Sequence, residues 1–161
     1  IINYPNSKIT VEIVGTGSEE THLKTLTTNL NLTNVVTFKG FISDTHLIQY
    51  YKKWHAILFC PFKEPMGLIP LEAACFNTPT IGSSMGGLLE TIQHNKTGIL
   101  VSPTNKKELI SALVKICNDK EFANKLGENA NKLVLEKFNF KETVSAFEKE
   151  FLNAYEFFKK I

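Results

Sequence analysis

Pro70 fixes the position at which one helix of this chain can begin. Proline has no amide hydrogen and is tolerated in the first turn of a helix, where amides lack partners, but not in the interior. The helix that contains Glu72 is therefore predicted to begin near Gly67. Glu64 then lies in the loop before it, so two carboxylates border one helix N-terminus.

This helix start favours the binding of an anion. The unpaired amides of Gly67, Leu68 and Ile69 are expected to face outward with the positive end of the helix dipole, an arrangement that binds phosphate. Helical side chains lean towards the N-terminus, so Glu72 can reach the region that Glu64 borders. Its apolar neighbours offer no counter-charge, and sugar hydroxyls would supply the donors it needs. The alternative is that Glu64 is a solvated loop charge and Glu72 faces water.

The surrounding segments indicate a parallel sheet with the site at its edge. Residues 56–62, AILFCPF, have the composition of a buried strand, and another strand begins at Thr80. Apolar runs alternate with helical patterns, and strands are predicted near 8–14, 35–38, 55–60, 79–82 and 97–101. Residues 1–161 are expected to form a single α/β domain that ends in helices from about 105. Ligands bind such sheets at the carboxyl ends of the strands.

A family resemblance rests on these residues. Residues 59–92, FCPFKEPMGLIPLEAACFNTPTIGSSMGGLLETI, resemble the signature of retaining glycosyltransferases of family 4, in the nucleotide-sugar-binding C-terminal half of a GT-B enzyme. Residues 9–17, ITVEIVGTG, resemble the family's second strand and glycine turn. Residues 36–42, VTFKGFI, resemble its third strand and base-binding loop, and residues 96–103, KTGILVSP, resemble the strand before its terminal helices. The resemblance implies a Rossmann-like, mostly parallel sheet flanked by helices, one half of a GT-B fold.

The resemblance also implies a role for each matching residue. Glu72 would bind the ribose hydroxyls of the donor nucleotide, and Glu64, the catalytic candidate, would bind a hydroxyl of the transferred sugar. The amides of Gly67 and Leu68 would bind the diphosphate. The remaining candidates for donor binding are Met66, Ile69, Gly15, Gly17, Gly40, Phe41, Gly86 and Gly87. Gly86 and Gly87 form a turn that either approaches the donor or serves only for packing. The implied donor is a nucleoside diphosphate sugar, with no metal and no cofactor.

The sequence departs from the family pattern at several positions. Met66 replaces the usual Phe, and Asn77 replaces a usual Gly, so a left-handed helix cap is predicted there. The family's first strand, with Gly-Arg and a following Lys, is missing, since residues 1–8 resemble the end of the first helix. The strands at 9–14 and 56–60 would then lack their shared partner. Either the sequence is cut short or another chain supplies the strand. An acceptor-binding N-terminal half is likewise expected elsewhere.

Composition argues against several other classes of function. The formal net charge of +2 does not suggest nucleic-acid binding, and all 18 basic residues are Lys, so no arginine fork for phosphate is available. The four histidines have no metal-ligand spacing. Cys60, Cys75 and Cys117 are predicted to be reduced core thiols, which places the protein in the cytoplasm. No signal peptide or membrane-spanning run is visible.

The last predicted helix carries an aromatic stripe. Its members are Phe147, Phe151, Tyr155 and Phe158. Packing within the protein is the favoured interpretation. Because the final helix of GT-B proteins usually crosses back towards the other half, part of the stripe is also expected to be exposed. Peripheral contact with the inner face of a membrane is the alternative, although nearby glutamates dilute the charge of the lysines.

These features together predict the donor-binding domain of a retaining glycosyltransferase. Such an enzyme transfers a hexosyl residue to a glycan, a lipid or another acceptor, and the fragment alone is expected to be inactive. A non-catalytic nucleotide-binding or interaction module derived from such an enzyme is the rival hypothesis. A nicotinamide-binding domain is disfavoured, because the run from Gly15 to Glu20 lacks the third glycine of GxGxxG.

Overall fold

A computed structural model describes residues 9–159. The chain divides into two compact units, Ile1–Tyr50 and Tyr51–Ile161. The segment 1–8, which the sequence matches to the end of a first helix, lies outside the described residues. The assignment of residues 1–161 to a single domain stays a prediction.

The first unit is built around two parallel strands joined by a helix. Its elements are β1 (Val11–Val14), α1 (Glu20–Asn29), β2 (Val36–Gly40) and most of α2 (Asp44–Lys53). Val11 of β1 pairs with Val36 of β2, and the register shifts after Ile13. Helix α1 begins at Glu20 and has Glu19 at its N-cap without a side-chain hydrogen bond.

The second unit contains a three-stranded parallel sheet followed by helices. Its elements are β3 (Ile57–Phe59), α3 (Leu68–Ala74), β4 (Thr80–Ser83), α4 (Leu88–Thr91), β5 (Gly98–Val101), α5 (Lys106–Asn118), α6 (Lys120–Lys137) and α7 (Phe140–Phe158). The strand order is β3-β4-β5, and every residue of the central strand β4 is buried. The predicted α/β fold with parallel strands is therefore confirmed. Among the described residues, β1 and β3 belong to different sheets and share no strand partner.

The core of the second unit lies where β4 and β5 pack against α5 and α6. Its buried members are Ile81, Ile99, Val101, Ala112, Ile116, Ala123 and Leu126. Three helix starts are fixed by side-chain caps. Asn105 accepts from the amides of Lys107 and Glu108, Asp119 accepts from that of Phe122, and Asn139 accepts from that of Glu142. The predicted left-handed cap is also confirmed, since Asn77 has φ of 58°.

The last helix, α7, presents its aromatic stripe to solvent. No residue of α7 is buried, and Phe151 is 73% exposed. The packing interpretation of the stripe is therefore wrong for the described chain, and the expectation that part of it is exposed is confirmed. The periodicity that defines the stripe is the same whether or not a partner surface is present.

The cysteines are less buried than the sequence predicts. All three are free thiols; Cys60 is partly buried, whereas Cys75 and Cys117 are exposed. The prediction of core thiols is therefore wrong for these last two. Cys75 lies in the turn after α3, and Cys117 lies in the last turn of α5.

We expect iodoacetamide to modify Cys75 before the other two thiols. Burial raises the pKa of the Cys60 thiol, and partial burial of its sulfur raises that of the Cys117 thiol. Each of these two therefore carries less of the reactive thiolate at a given pH than it would in the unfolded chain. Mass spectrometry of timed samples at a pH below 9 measures the order. Faster modification of Cys60 or Cys117 than of Cys75 would contradict this account of thiol burial, and a urea-unfolded sample, in which all three should react alike, is the control.

Candidate functional site

The loop between β3 and α3 holds the Glu64 carboxylate on backbone amides. Glu64 Oε1 accepts hydrogen bonds from the amides of Met66, at 3.2 Å, and Gly67, at 2.9 Å. Gly67 is the N-cap residue of α3 and has φ of 78°, a conformation that favours glycine. The other oxygen of Glu64 accepts no hydrogen bond from residues 9–159. Glu64 is thus a partly buried, oriented acceptor and not a solvated loop charge.

The Gly86–Gly87 turn packs directly against this loop. The Gly87 amide donates to the Glu64 carbonyl at 2.8 Å. A Cβ at Gly87 would lie 2.5 Å from the Pro65 carbonyl oxygen and 2.6 Å from Met66 Cα, and one at Gly86 would overlap the Glu64 carbonyl oxygen. Packing therefore accounts for both glycines, and their contact with a donor stays a prediction.

Glu72 is held by a residue that sequence reasoning missed. The helix start predicted from Pro70 is confirmed, because α3 begins at Leu68 and contains Glu72. The Tyr51 hydroxyl donates to Glu72 Oε2 at 2.9 Å. These residues are 21 positions apart in the sequence and on different helices, so no local pattern signals the contact. Glu72 is exposed, as the solvated interpretation requires, but it is also oriented.

The amides at the start of α3 differ in whether they have a hydrogen-bond acceptor. The Gly67 amide, which the resemblance assigns to a diphosphate, is occupied by Glu64 in this structure. The amides of Leu68 and Ile69 donate to no acceptor in the described part of the chain. The side chains of Met66, Leu68 and Ile69 are exposed. Free donors and apolar surface therefore accompany the oriented carboxylate.

The other candidate residues belong to the first unit and follow its paired strands. Gly15 and Gly40 have φ of 106° and 64°, and the Gly15 amide donates to the Gly40 carbonyl at 2.8 Å. A Cβ at either of them or at Gly17 would meet nothing within 4 Å. Conformation thus explains glycine at positions 15 and 40, and neither conformation nor packing explains it at Gly17. Phe41, just past β2, is 78% exposed.

Residues 9–159 contain no group of three or more His, Cys, Asp or Glu side chains arranged to hold a metal ion. Within the same range, no helix combines the length and the apolar character needed to cross a membrane. The candidate site consists of the polar groups described above. They are the two oriented carboxylates, Glu64 and Glu72, and the free amides at the start of α3.

Known proteins are similar to this chain in sequence and in fold. The profile of the family described as glycosyl transferases group 1 matches residues 2–133. An uncharacterized glycosyltransferase of Methanocaldococcus jannaschii is 32% identical over 151 residues, which cover 91% of this chain and 38% of that protein.

Solved structures agree with this sequence relationship. Sucrose-phosphate synthase from Thermosynechococcus elongatus superposes with a TM-score of 0.78 at 28% identity, over 90% of this chain and 38% of that one. HepE of Anabaena, solved in complex with UDP, has a TM-score of 0.75 at 25% identity, over 91% of this chain and 41% of that one. These structures support the predicted half of a GT-B fold. The chain belongs to the glycosyl transferases group 1 family.

Proposed function

We propose that this chain binds a nucleoside diphosphate sugar as the donor domain of a retaining glycosyltransferase. The whole enzyme would transfer a hexosyl residue to a glycan, a lipid or another acceptor, as in polysaccharide biosynthesis. One observation carries the proposal: Glu64 and Glu72, at the start of α3 and inside it, each have one carboxylate oxygen held by a fixed donor. A carboxylate oriented in this way accepts hydrogen bonds from ligand hydroxyls with little further ordering.

Glu72 would bind the ribose of the donor. The two hydroxyls of a ribose are donors, and an ionised carboxylate offers acceptors only. Glu72 Oε2 is held by the Tyr51 hydroxyl, so Oε1 would accept from the ligand. The Glu72 carboxylate is exposed before binding, so the ribose hydroxyls would replace water as its hydrogen-bond donors. The free chain therefore does not have to keep an unpaired charge buried.

Glu64 would act on the transferred sugar. In a retaining transfer without metal, the anomeric carbon becomes cationic as the diphosphate departs. Glu64, already fixed by backbone amides, would accept a hydrogen bond from a hydroxyl of that sugar and orient it while the charge develops. The two amides that donate to Glu64 hold it in place, and the Gly86–Gly87 turn packs against the same loop.

The diphosphate would contact the free amides of Leu68 and Ile69. Helix N-termini favour anions because their amides are unpaired and the helix dipole is positive there. The chain has no Arg to assist them. HepE, of related fold, was solved with UDP, which supports a nucleotide as the ligand. In the first unit, Gly40 and Phe41 stay the candidates for holding the base, and Gly15 and Gly17 stay candidates for donor binding. The proposal includes no metal and no cofactor.

The acceptor is proposed to bind to a different part of the enzyme. This chain spans about 38% of the length of the Methanocaldococcus relative. An N-terminal acceptor domain, or another chain that supplies the family's first strand, is the proposed partner. We place the enzyme in the cytoplasm, with peripheral contact to the inner face of the membrane as an addition. Residues 140–161 carry four Lys and four Glu, so a membrane contact would depend on the exposed aromatic stripe of α7 and not on net charge.

Calorimetric titration of this chain with UDP, GDP and ADP, with a sugar-linked form of each and with the matching monophosphates, tests the proposal. We expect at least one pair to bind, and the diphosphate to bind more tightly than the matching monophosphate. The Glu136→Ala variant is the matched control, since it removes an exposed glutamate of α6. If no nucleotide bound more tightly to the wild type than to a Glu64→Ala, Glu72→Ala double variant, the proposal would be wrong.

A further inference from the structure

Tyr51 is a buried residue of the second unit whose hydroxyl reaches the proposed ribose-binding carboxylate. It lies near the C-terminal end of α2 and is 4% exposed. Its hydroxyl donates to Glu72 Oε2 at 2.9 Å, and Glu72 is exposed. A buried ring therefore presents a hydroxyl to a surface carboxylate.

Contacts with Thr78, Phe76 and Trp54 set the position of this hydroxyl. The Tyr51 carbonyl accepts a hydrogen bond from Thr78 Oγ1 at 2.5 Å. Its ring stacks on Phe76, with centroids 6.0 Å apart and planes inclined by 10°, and meets Trp54 edge-on at 5.8 Å. Packing of this kind leaves an aromatic side chain little rotational freedom.

A fixed donor changes what Glu72 can do. A free glutamate side chain samples many rotamers, and ordering it costs free energy when a ligand binds. Holding Oε2 in place removes much of that cost and aims Oε1 in one direction. We infer that Tyr51 is a positioning residue for donor binding, which acts through Glu72 and touches no ligand atom. The inference rests on the proposed function.

The Tyr51→Phe variant tests this inference, because it removes the hydroxyl and keeps the ring. The probe is whichever of UDP, GDP and ADP binds most tightly, together with its 2′,3′-dideoxy form. We expect the variant to bind the ribonucleotide about three- to tenfold more weakly, which corresponds to the cost of ordering one flexible side chain on binding. The dideoxy form lacks the hydroxyls that would donate hydrogen bonds to Glu72. Its affinity should therefore be the same for the variant and the wild type. Tyr155→Phe, the same change on exposed α7, should alter neither.

A double-mutant cycle separates positioning from general destabilisation. In a Glu72→Ala background, Tyr51→Phe should cause no further loss of ribonucleotide binding, since its effect passes through the missing carboxylate. Equal losses for the ribonucleotide and its dideoxy form would show a merely structural role and overturn the inference.

Two further outcomes distinguish the inference from the proposed function. Unchanged binding in Tyr51→Phe, with weaker binding in Glu72→Ala, would overturn the inference alone. Unchanged binding in Glu72→Ala would overturn the proposed role of that carboxylate, and the inference with it. Thermal unfolding of each variant establishes that the compared proteins are folded at the titration temperature.

Discussion

The 161-residue chain is expected to transfer no sugar by itself to any acceptor. Group transfer requires the acceptor to be held against the anomeric carbon, and positioning of that kind supplies a large part of an enzymatic rate. The proposed site contains groups for the donor only: two oriented carboxylates and the free amides of α3. The residues that bind the acceptor are proposed to belong to the other half of the enzyme.

A comparison of three proteins measures this effect. They are this chain, a version with about 30 further upstream residues, enough for a strand and helix of a βαβ unit, and a complete two-domain enzyme that contains it. Only the last should transfer sugar. Nucleotide affinity should already rise with the upstream residues, because the family's first strand and its following loop bring Arg and Lys to the diphosphate.

Each of the other outcomes has a definite meaning. Turnover by the short chain would overturn the assignment of the acceptor site to another part of the enzyme. Equal nucleotide affinity in all three proteins would show that the diphosphate site is misplaced. Binding without transfer in the complete protein would favour the rival hypothesis of a non-catalytic nucleotide-binding module.

Replacing Glu72 by Ala is expected to weaken nucleoside diphosphate binding by about 1.5–3 kcal/mol, the range for hydrogen bonds to a charged group. The physical reason is the loss of the carboxylate that would accept hydrogen bonds from both ribose hydroxyls. Glu64→Ala should leave the affinity for the free diphosphate unchanged and weaken only the nucleotide sugar. Titration calorimetry of both variants with both ligands measures the difference.

The controls for these variants are chosen from the same chain. Glu136→Ala removes one negative charge from an exposed position on α6 and should bind both ligands as the wild type does. Since Glu64 also caps α3 through Gly67, the unfolding temperature of Glu64→Ala has to be measured beside its affinity. Equal losses for both ligands in both variants would refute the division of roles between the two glutamates.

Much of the site's backbone could be predicted because local rules determine it. Pro70 restricts where α3 begins, and the start at Leu68 agrees with that restriction. Asn77 has the left-handed conformation predicted for it, because Asn is the residue that most readily takes this conformation after Gly. The strands follow the apolar runs, with bounds that differ by a few residues. Each of these features depends on residues within a few positions of one another.

The contacts that orient the site could not be predicted, because they join residues from separate elements. Tyr51 reaches Glu72 from another helix, and Gly87 packs on the loop that contains Glu64. The same reason explains the error for α7: a stripe of aromatic residues does not reveal whether a partner surface lies within the same chain.

A crystal structure of this chain with a bound nucleoside diphosphate sugar tests the central claim most directly. The account predicts ribose hydroxyls within hydrogen-bond distance of the Glu72 carboxylate, a sugar hydroxyl on Glu64, and diphosphate oxygens on the amides of Leu68 and Ile69. The bond from Tyr51 to Glu72 should persist in the complex. A nucleotide bound with its ribose away from Glu72, or with its diphosphate away from the start of α3, would contradict the account.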